Sequence, residues 1–248
     1  MSKRRRPVTI RNTRFDDADQ IEQMCRLVYP RERRPWDAEA IASHLNYFPH
    51  GQLVAADPDD DRRVLGMAAS LVLLWDDYDF HNTWDQLTDR GFFSNHNPQG
   101  HTLYGAEIMV HPDAQGMGVG KQIYAARREL CRSLGLRRIR AGARLRGYHR
   151  HADRMTPQQY VVEVVNRSIG DPTLTFQLKQ GFRVIAVVEN YIEYDHESQG
   201  HAAVIEWINH QVATRADYRR RDPAFGKRRR PRHDDPPTGN QHPPQQET

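Results

Sequence analysis

The chain has 248 residues, which suits one sizeable domain with tails or two small ones. Hydrophobic residues make up 38% and mean hydropathy is -0.85, so part of the chain adds nothing to a core. No apolar run approaches the roughly 20 residues of a membrane span. The net charge of +4 is divided unevenly: Lys3, Arg4, Arg5 and Arg6 give +4, and nine Lys/Arg against five Asp/Glu from Arg215 onward give another +4, so residues 7–214 carry about −4. The basic start lacks the apolar segment of a secretory signal. The expectation is a cytoplasmic protein with no membrane partner, mildly acidic in its folded part and basic at its ends.

In chain order, Val8-Thr9-Ile10-Arg11 is short and β-branched and predicts a first strand. Asp16 or Asp17 can cap a helix in which Ile21, Met24, Cys25 and Val28 share a face, and Pro30 stops it. A second helix is predicted from about Pro35-Trp36-Asp37 to Tyr47. The apolar runs 52–57 and 64–74 flank an Asp/Pro-rich turn and predict a β-hairpin. Residues 75–101 form a long insertion in which Asn82 and Gly91 can cap a short helix over 83–90. A strand over 103–110 follows, then a helix from Val119 to Leu134 with Gly135 at its C-terminal end, then a strand over 137–143. Thr156-Pro157 opens a helix carrying Tyr160, Val161, Val164 and Val165, and Asp171-Pro172 opens another that closes at Gly181. Strands over 182–188 and 203–208 complete the order β-α-α-β-β-β-α-β-α-α-β-β. The fold class is an α/β mixture (α+β). Cys25 and Cys131 sit at helical core spacing and read as buried free thiols. The expected boundaries are a basic arm over 1–7, one domain over 8–211, and a basic, proline-rich tail over 212–248 that buries too little surface to fold.

The stretch His111-Pro112-Asp113-Ala114-Gln115-Gly116-Met117-Gly118-Val119-Gly120-Lys121 lies between a predicted strand and a predicted helix. Glycine permits tight turns and close approach of a ligand to backbone amides, and the first amides of a helix have no internal partner. With the helix dipole this makes a phosphate cradle. Gly-x-Gly-x-x-Gly has a different spacing, and a P-loop needs Ser or Thr where Gln122 stands. The pattern present is Gln-x-x-Gly-x-Gly, at Gln115, Gly118 and Gly120.

This pattern, with the element order and the ending Gln180-Gly181-Phe182, resembles the GNAT superfamily of acetyl-CoA-dependent N-acyltransferases over about residues 8–210. The runs Trp75-Asp-Asp-Tyr-Asp79, His81-Asn-Thr-Trp-Asp85, Leu103 to Pro112, Tyr148-His-Arg-His-Ala-Asp153 and Asp171 to Leu178 are similar to one subgroup, the GNAT module N-terminal to nitrilase-like carbon–nitrogen hydrolases in bacterial fusion proteins. The resemblance implies a GNAT fold, a central mixed seven-stranded twisted sheet flanked by helices. It also implies acetyl-CoA as acyl donor. Main-chain groups of Ile108, Met109 and Val110 would pair with the pantetheine arm. Amides of Gln115, Gly116, Met117, Gly118, Val119, Gly120 and Lys121 would hold the pyrophosphate.

Transfer then needs a deprotonated amine held at the thioester carbon, with donors for the developing oxyanion. Glu107, three residues before Val110, is the candidate base; its alternative is a strand carboxylate paired with a cation such as Arg140. Many GNAT enzymes place a Tyr four residues before Gly-Phe to protonate the leaving thiolate. Gln177 stands there in this chain, leaving Tyr148 and Tyr160 as substitutes, Tyr148 being the catalytic candidate. The insertion carries Asp76, Asp77, Asp79, Asp85 and Asp89 among Trp75, Tyr78, Trp84, Phe92 and Phe93, which suits a cationic amine, as a small molecule or a protein amine; a solvated surface loop is the alternative. These Asp residues with His81 match no ligand spacing, and no metal is expected. The runs Arg219–Arg221 and Lys227–Arg230 suit docking on a polyanion or nucleic acid as well as solubilisation. The alternative to an enzyme is a catalytically weak CoA-binding module that regulates a partner such as a carbon–nitrogen hydrolase. A homodimer is left open.

Overall fold

The structure is a computed structural model and describes residues 6–30, 36–193, 195–218 and 223–225. Seven strands form one sheet: β1 (Thr9–Asn12), β2 (Leu53–Asp57), β3 (Asp60–Leu73), β4 (Thr102–Val110), β5 (Arg138–Arg144), β6 (Arg183–Val188) and β7 (Ala202–Ile208), in spatial order β1-β2-β3-β4-β5-β7-β6. Every neighbouring pair is antiparallel except β4 with β5. The helices are α1 (Ala18–Val28), α2 (Ala38–Tyr47), α3 (Trp84–Thr88), α4 (Val119–Ser133), α5 (Pro157–Asn166) and α6 (Leu174–Lys179). The sheet is therefore mixed, seven-stranded and flanked by helices, as the family resemblance implies.

From Met67 onward, period-two alternation in β3 separates the two layers, and the register shift opposite Ala55 and Ala56 puts Leu65 on the same side as Ala68. Met67, Ala69, Leu71 and Leu73 face α1 and α2, where Ile21, Met24, Cys25 and Ile41 are buried. Leu65 and Ala68 face α4 with Val119 and Ile123. A third cluster joins Tyr124 and Cys131 of α4 to Tyr160, Val161 and Val164 of α5 and Leu174 of α6. Two charged residues buried within the sheet, Arg140 of β5 and Glu206 of β7, 2% and 3% exposed, meet at 2.9 Å.

The parallel pair β4–β5 decides where a ligand can enter. It holds register only at Thr102↔Arg138, Leu103↔Ile139 and Tyr104↔Arg140. Beyond Tyr104, β4 runs on to Val110 beside β3 while β5 stays paired with β7 to Arg144, so the two strands diverge. Just past that point β4 carries a bulge: Ala69 faces Glu107 and Ser70 faces Gly105, which leaves Ala106 as the extra residue. The bulge shifts the alternation, so Tyr104, Ala106 and Met109 all pack in the α1/α2 layer.

Local structure departs from the sequence expectation in a few places. The hairpin turn is tighter than 57–62, because Asp57 already pairs with Asp60. The insertion helix is capped by Thr83, whose side chain accepts from Gln86 N, and is closed by Asp89 in the left-handed region, in place of Asn82 and Gly91. At α1, neither Asp16 nor Asp17 caps by side chain; Asp17 is bonded to Arg11 at 2.8 Å instead. Two contacts lie beyond the expected boundary at 211. Buried Asp217 meets Arg138 at 2.6 Å, and Phe225 packs against the third cluster, so ordered contacts run past 211. The basic runs at 219–221 and 227–230 lie outside the described residues.

Candidate active site

The glycine loop follows β4 directly. His111-Pro112 leads into a short 3-10 turn (Pro112–Ala114), and Gly116 and Gly118 take φ +77° and +81°, the left-handed region where a Cβ would be strained. Gly118 is the N-cap of α4. A Cβ on Gly120 would come within 3.2 Å of the Phe176 ring, so α6 packs close over this helix end. The amides are not equivalent. Those of Gln115 and Met117 are bonded at 3.3 Å to Pro112 O and Ala114 O. Among the described residues, those of Gly116, Gly118, Val119, Gly120 and Lys121 have no main-chain acceptor outside the helix. Five of the seven residues Gln115 to Lys121 thus present N–H groups with no main-chain acceptor among the described residues, concentrated at the positive end of a 15-residue helix. The Gln115 side chain turns back and donates to Val110 O at 3.1 Å. Ile108, Met109 and Val110 pair with Ala68, Met67 and Gly66 of β3, and their other edge borders the divergence from β5.

Glu107 sits at the bulge, part-buried. Its Oε1 accepts from Tyr29 Oη at 2.9 Å and from Ile108 N at 2.8 Å, and its Oε2 accepts from Trp36 Nε1 at 3.4 Å. Arg140, the cation foreseen as its partner, is committed to Glu206 and stacks over Trp75. Glu107 is therefore a carboxylate held by neutral donors, with no ion pair to Arg140. Two residues that position it, Tyr29 and Trp36, are not apparent in the sequence, since both flank a stretch with no regular spacing.

The bulge itself is held from both layers. Trp84 Nε1 donates to Ala106 O at 3.0 Å, and the fully buried Arg127 of α4 donates through Nη2 to Ala69 O at 3.1 Å and to Glu107 O. A Cβ on Gly105 would meet Arg127 Nη1 at 2.8 Å, so glycine makes room for the guanidinium. Burial lowers the Arg127 pKa from its ordinary value. On the α1/α2 side Trp36 packs edge-on against Trp84 and Phe93, and Trp84 N donates to Tyr191 O at 2.9 Å. The Tyr191 hydroxyl pairs with that of Tyr104, and burial raises both pKa values, so both stay protonated at neutral pH.

The two candidate tyrosines are hydrogen-bonded within the core. Tyr148 is buried, donates its hydroxyl to Met155 O at 2.9 Å, and packs edge-on against Tyr160 and His201. Tyr160 donates to Asp171 Oδ2 at 3.0 Å. Each hydroxyl hydrogen is already committed, and burial raises both pKa values, so both phenols stay protonated at neutral pH. Gln177 donates to the Tyr124 hydroxyl at 2.9 Å. In the insertion the two residue classes separate: Trp75 and Phe93 are buried, whereas Asp76, Asp77, Asp79, Asp85 and Asp89 are exposed. The described residues contain no group of three or more His, Cys, Asp or Glu that could hold a metal. No described helix is long and apolar enough to cross a membrane.

The sequence model of the acetyltransferase (GNAT) family matches residues 20–153. The chain belongs to this family. GNAT members transfer acyl groups from CoA to amines. Among relatives, an uncharacterized N-acetyltransferase of Bacillus subtilis, YkwB, is 33% identical over 82% of this chain and 89% of its own length. A probable hydrolase of the same organism, YhcX, is 39% identical over 82% of this chain, but the chain spans only 39% of that protein. Of the solved structures, a GNAT-like decarboxylase, GphF, in complex with isobutyryl-CoA aligns with a TM-score of 0.64 at 18% identity, covering 81% of this chain and 98% of its own. The loading GNAT-like domain of CurA from Lyngbya majuscula aligns with a TM-score of 0.65 at 19% identity, covering 82% and 98%. At these identities the GNAT fold is what is shared.

Proposed function

We propose that this GNAT protein transfers an acetyl group from acetyl-CoA to a primary amine by direct attack within a ternary complex. The observation that carries the reading is the placement of Glu107: a carboxylate without an ion pair to Arg140, at the bulge where β4 leaves β5, on the strand that leads into the glycine loop at 116–121. In this reading the free amides of Gly116 and Gly118–Lys121 bind the pyrophosphate, the open edge of Ile108–Val110 takes the pantetheine arm, and Glu107 accepts the amine proton directly or through a water. The exposed acids of 76–89 favour a cationic acceptor, small molecule or protein amine, by long-range attraction.

Calorimetric titration with acetyl-CoA tests the cradle. Micromolar binding, roughly −8 kcal/mol, is expected for the wild type and none for Gly118→Asp, which places a carboxylate and a Cβ in the loop. Glu107→Gln should retain that binding while kcat with a cationic amine falls about 10²-fold or more. Normal turnover by Glu107→Gln across the pH range would remove it as the base. A second reading, a catalytically weak CoA-binding module, is favoured by the committed hydroxyls of Tyr148 and Tyr160 and by Gln177 at the usual acid position. Acetyl-CoA binding without turnover on any amine would select it.

A further inference from the structure

The end of the sheet opposite the glycine loop gathers cations around an indole. Arg138 pairs with Thr102, the first residue of β4, and with Ile208, the last of β7, so β5 begins and β7 ends there. The C-terminal half of α4 covers the same end. Arg132 Cζ lies 5.4 Å from the centre of the Trp207 ring, and Asn209 Nδ2 donates to Leu136 O at 2.9 Å. Arg128, one turn earlier, donates to Gln180 O at 3.1 Å, which brings the exposed Lys179 alongside. Arg137 O accepts from Asn209 N at 2.9 Å. Just past Asn209, the rings of His210 and Tyr218 stack with centroids 6.0 Å apart.

These charges are crowded. Arg128 and Arg132 sit four residues apart on one helix face, a spacing at which like charges repel. Burial, and after it the charge of Arg132, lowers the Arg128 pKa. Glu129 meets Arg132 at 3.1 Å, but among the described residues Arg128, Arg137 and Lys179 make no ion pair. Four cations against one acid reverse the charge of a body in which residues 7–214 carry about −4. Trp207, half-buried, adds a flat apolar ring to the same surface.

We propose that this end of the domain binds single-stranded nucleic acid, with phosphates on Arg128, Arg132, Arg137 and Lys179 and bases against Trp207 and Tyr218. Attraction to a polyanion follows from the cations, because each one releases counterions from a phosphate backbone. The preference for a single strand follows from the aromatics: an unpaired base offers a face to stack on a ring, and a duplex hides it. The surface stands apart from the acyl-transfer site, and it needs none of the basic runs that follow Tyr218.

The test follows the fluorescence anisotropy of a labelled oligouridine of about 20 nucleotides, and of a duplex of equal length, as full-length protein is added over a range of salt. It is repeated with three full-length variants. One combines Arg128→Gln, Arg137→Gln and Lys179→Gln; one is Trp207→Leu; the third replaces Arg219–Arg221 and Lys227–Arg230 by Gln. The wild type should bind the single strand about tenfold more tightly than the duplex. Loss of three phosphate contacts should weaken binding about tenfold or more and lower the slope of log K against log salt by about 2. Trp207→Leu should weaken the single strand about tenfold and leave the duplex unchanged. The third variant should keep the strand preference, and acetyl-CoA affinity should be the same in all. Wild-type binding by the three-cation variant would overturn the proposal. So would equal affinity of the wild type for both probes, no binding of either, or loss of all binding in the third variant, which would put the contact in the tail. Should Trp207→Leu fail to fold, the three-cation variant, altered at surface side chains, still decides.

Discussion

His44 shows how one side chain couples the insertion to the core. Its ring stacks on Phe93 with centroids 3.8 Å apart, and its Nε2 meets Gly91 O at 2.6 Å, so Nε2 carries the hydrogen. Burial lowers its pKa to about 4 from an ordinary 6.5. The native state then holds the neutral ring while the unfolded chain takes up a proton below pH 6.5. Stability present above pH 6.5 is lost as the pH falls towards 4, by about 1.4 kcal/mol per unit. Urea unfolding at pH 7 and pH 5 should differ by about 2 kcal/mol from this residue alone, and His44→Gln should remove that part of the slope. An identical slope in the variant would assign the acid sensitivity to other groups. Glu107 illustrates the opposite arrangement, a carboxylate given hydrogen bonds by Tyr29, Trp36 and the next amide but no pairing to Arg140.

At the scale of elements, two local irregularities make the site. The β4 bulge turns Glu107 into the α1/α2 layer, and it persists because Trp84 and Arg127 satisfy carbonyls that the disturbed ladder leaves. The second is the left-handed Gly118 at the N-cap of α4. Gly118→Ala should cost about 1–2 kcal/mol of stability, read from denaturant midpoints, because an alanine is strained at φ +81°. It adds no charge to the cradle, so its loss of acetyl-CoA affinity should be smaller than that of Gly118→Asp. Equal loss in both would mean that loop shape, rather than the added carboxylate, governs binding.

For the whole molecule, the question is where the folded unit ends. Arg138 is 15% exposed and relies on Asp217, and Phe225 packs against the cluster of α4, α5 and α6. Truncation after residue 225 should leave the thermal midpoint unchanged. Truncation after residue 211 removes both contacts and should lower it by about 3–8 °C, taking a loss of roughly 1–2 kcal/mol. Equal midpoints would place the boundary at 211 after all.

The element order and the glycine loop before α4 were written locally. Alternating apolar residues, Asp37, Thr156 and Gly135 at helix ends, and Gln115-x-x-Gly118-x-Gly120 each act through neighbours in the chain, so their meaning survives without a fold. Family membership follows from the same local signals. What the sequence could not express is pairing across layers. Glu107 lies 78 residues from Tyr29 and 71 from Trp36, Arg127 reaches carbonyls on two other strands, and Arg6 meets Gln122 across 116 residues. Tyr148 looked available as an acid because its burial and its bond to Met155 depend on packing beneath Tyr160 and His201. Local backbone preference set the elements. Only the closing of the sheet between its two helical layers decided which polar groups were already satisfied and which were left to act.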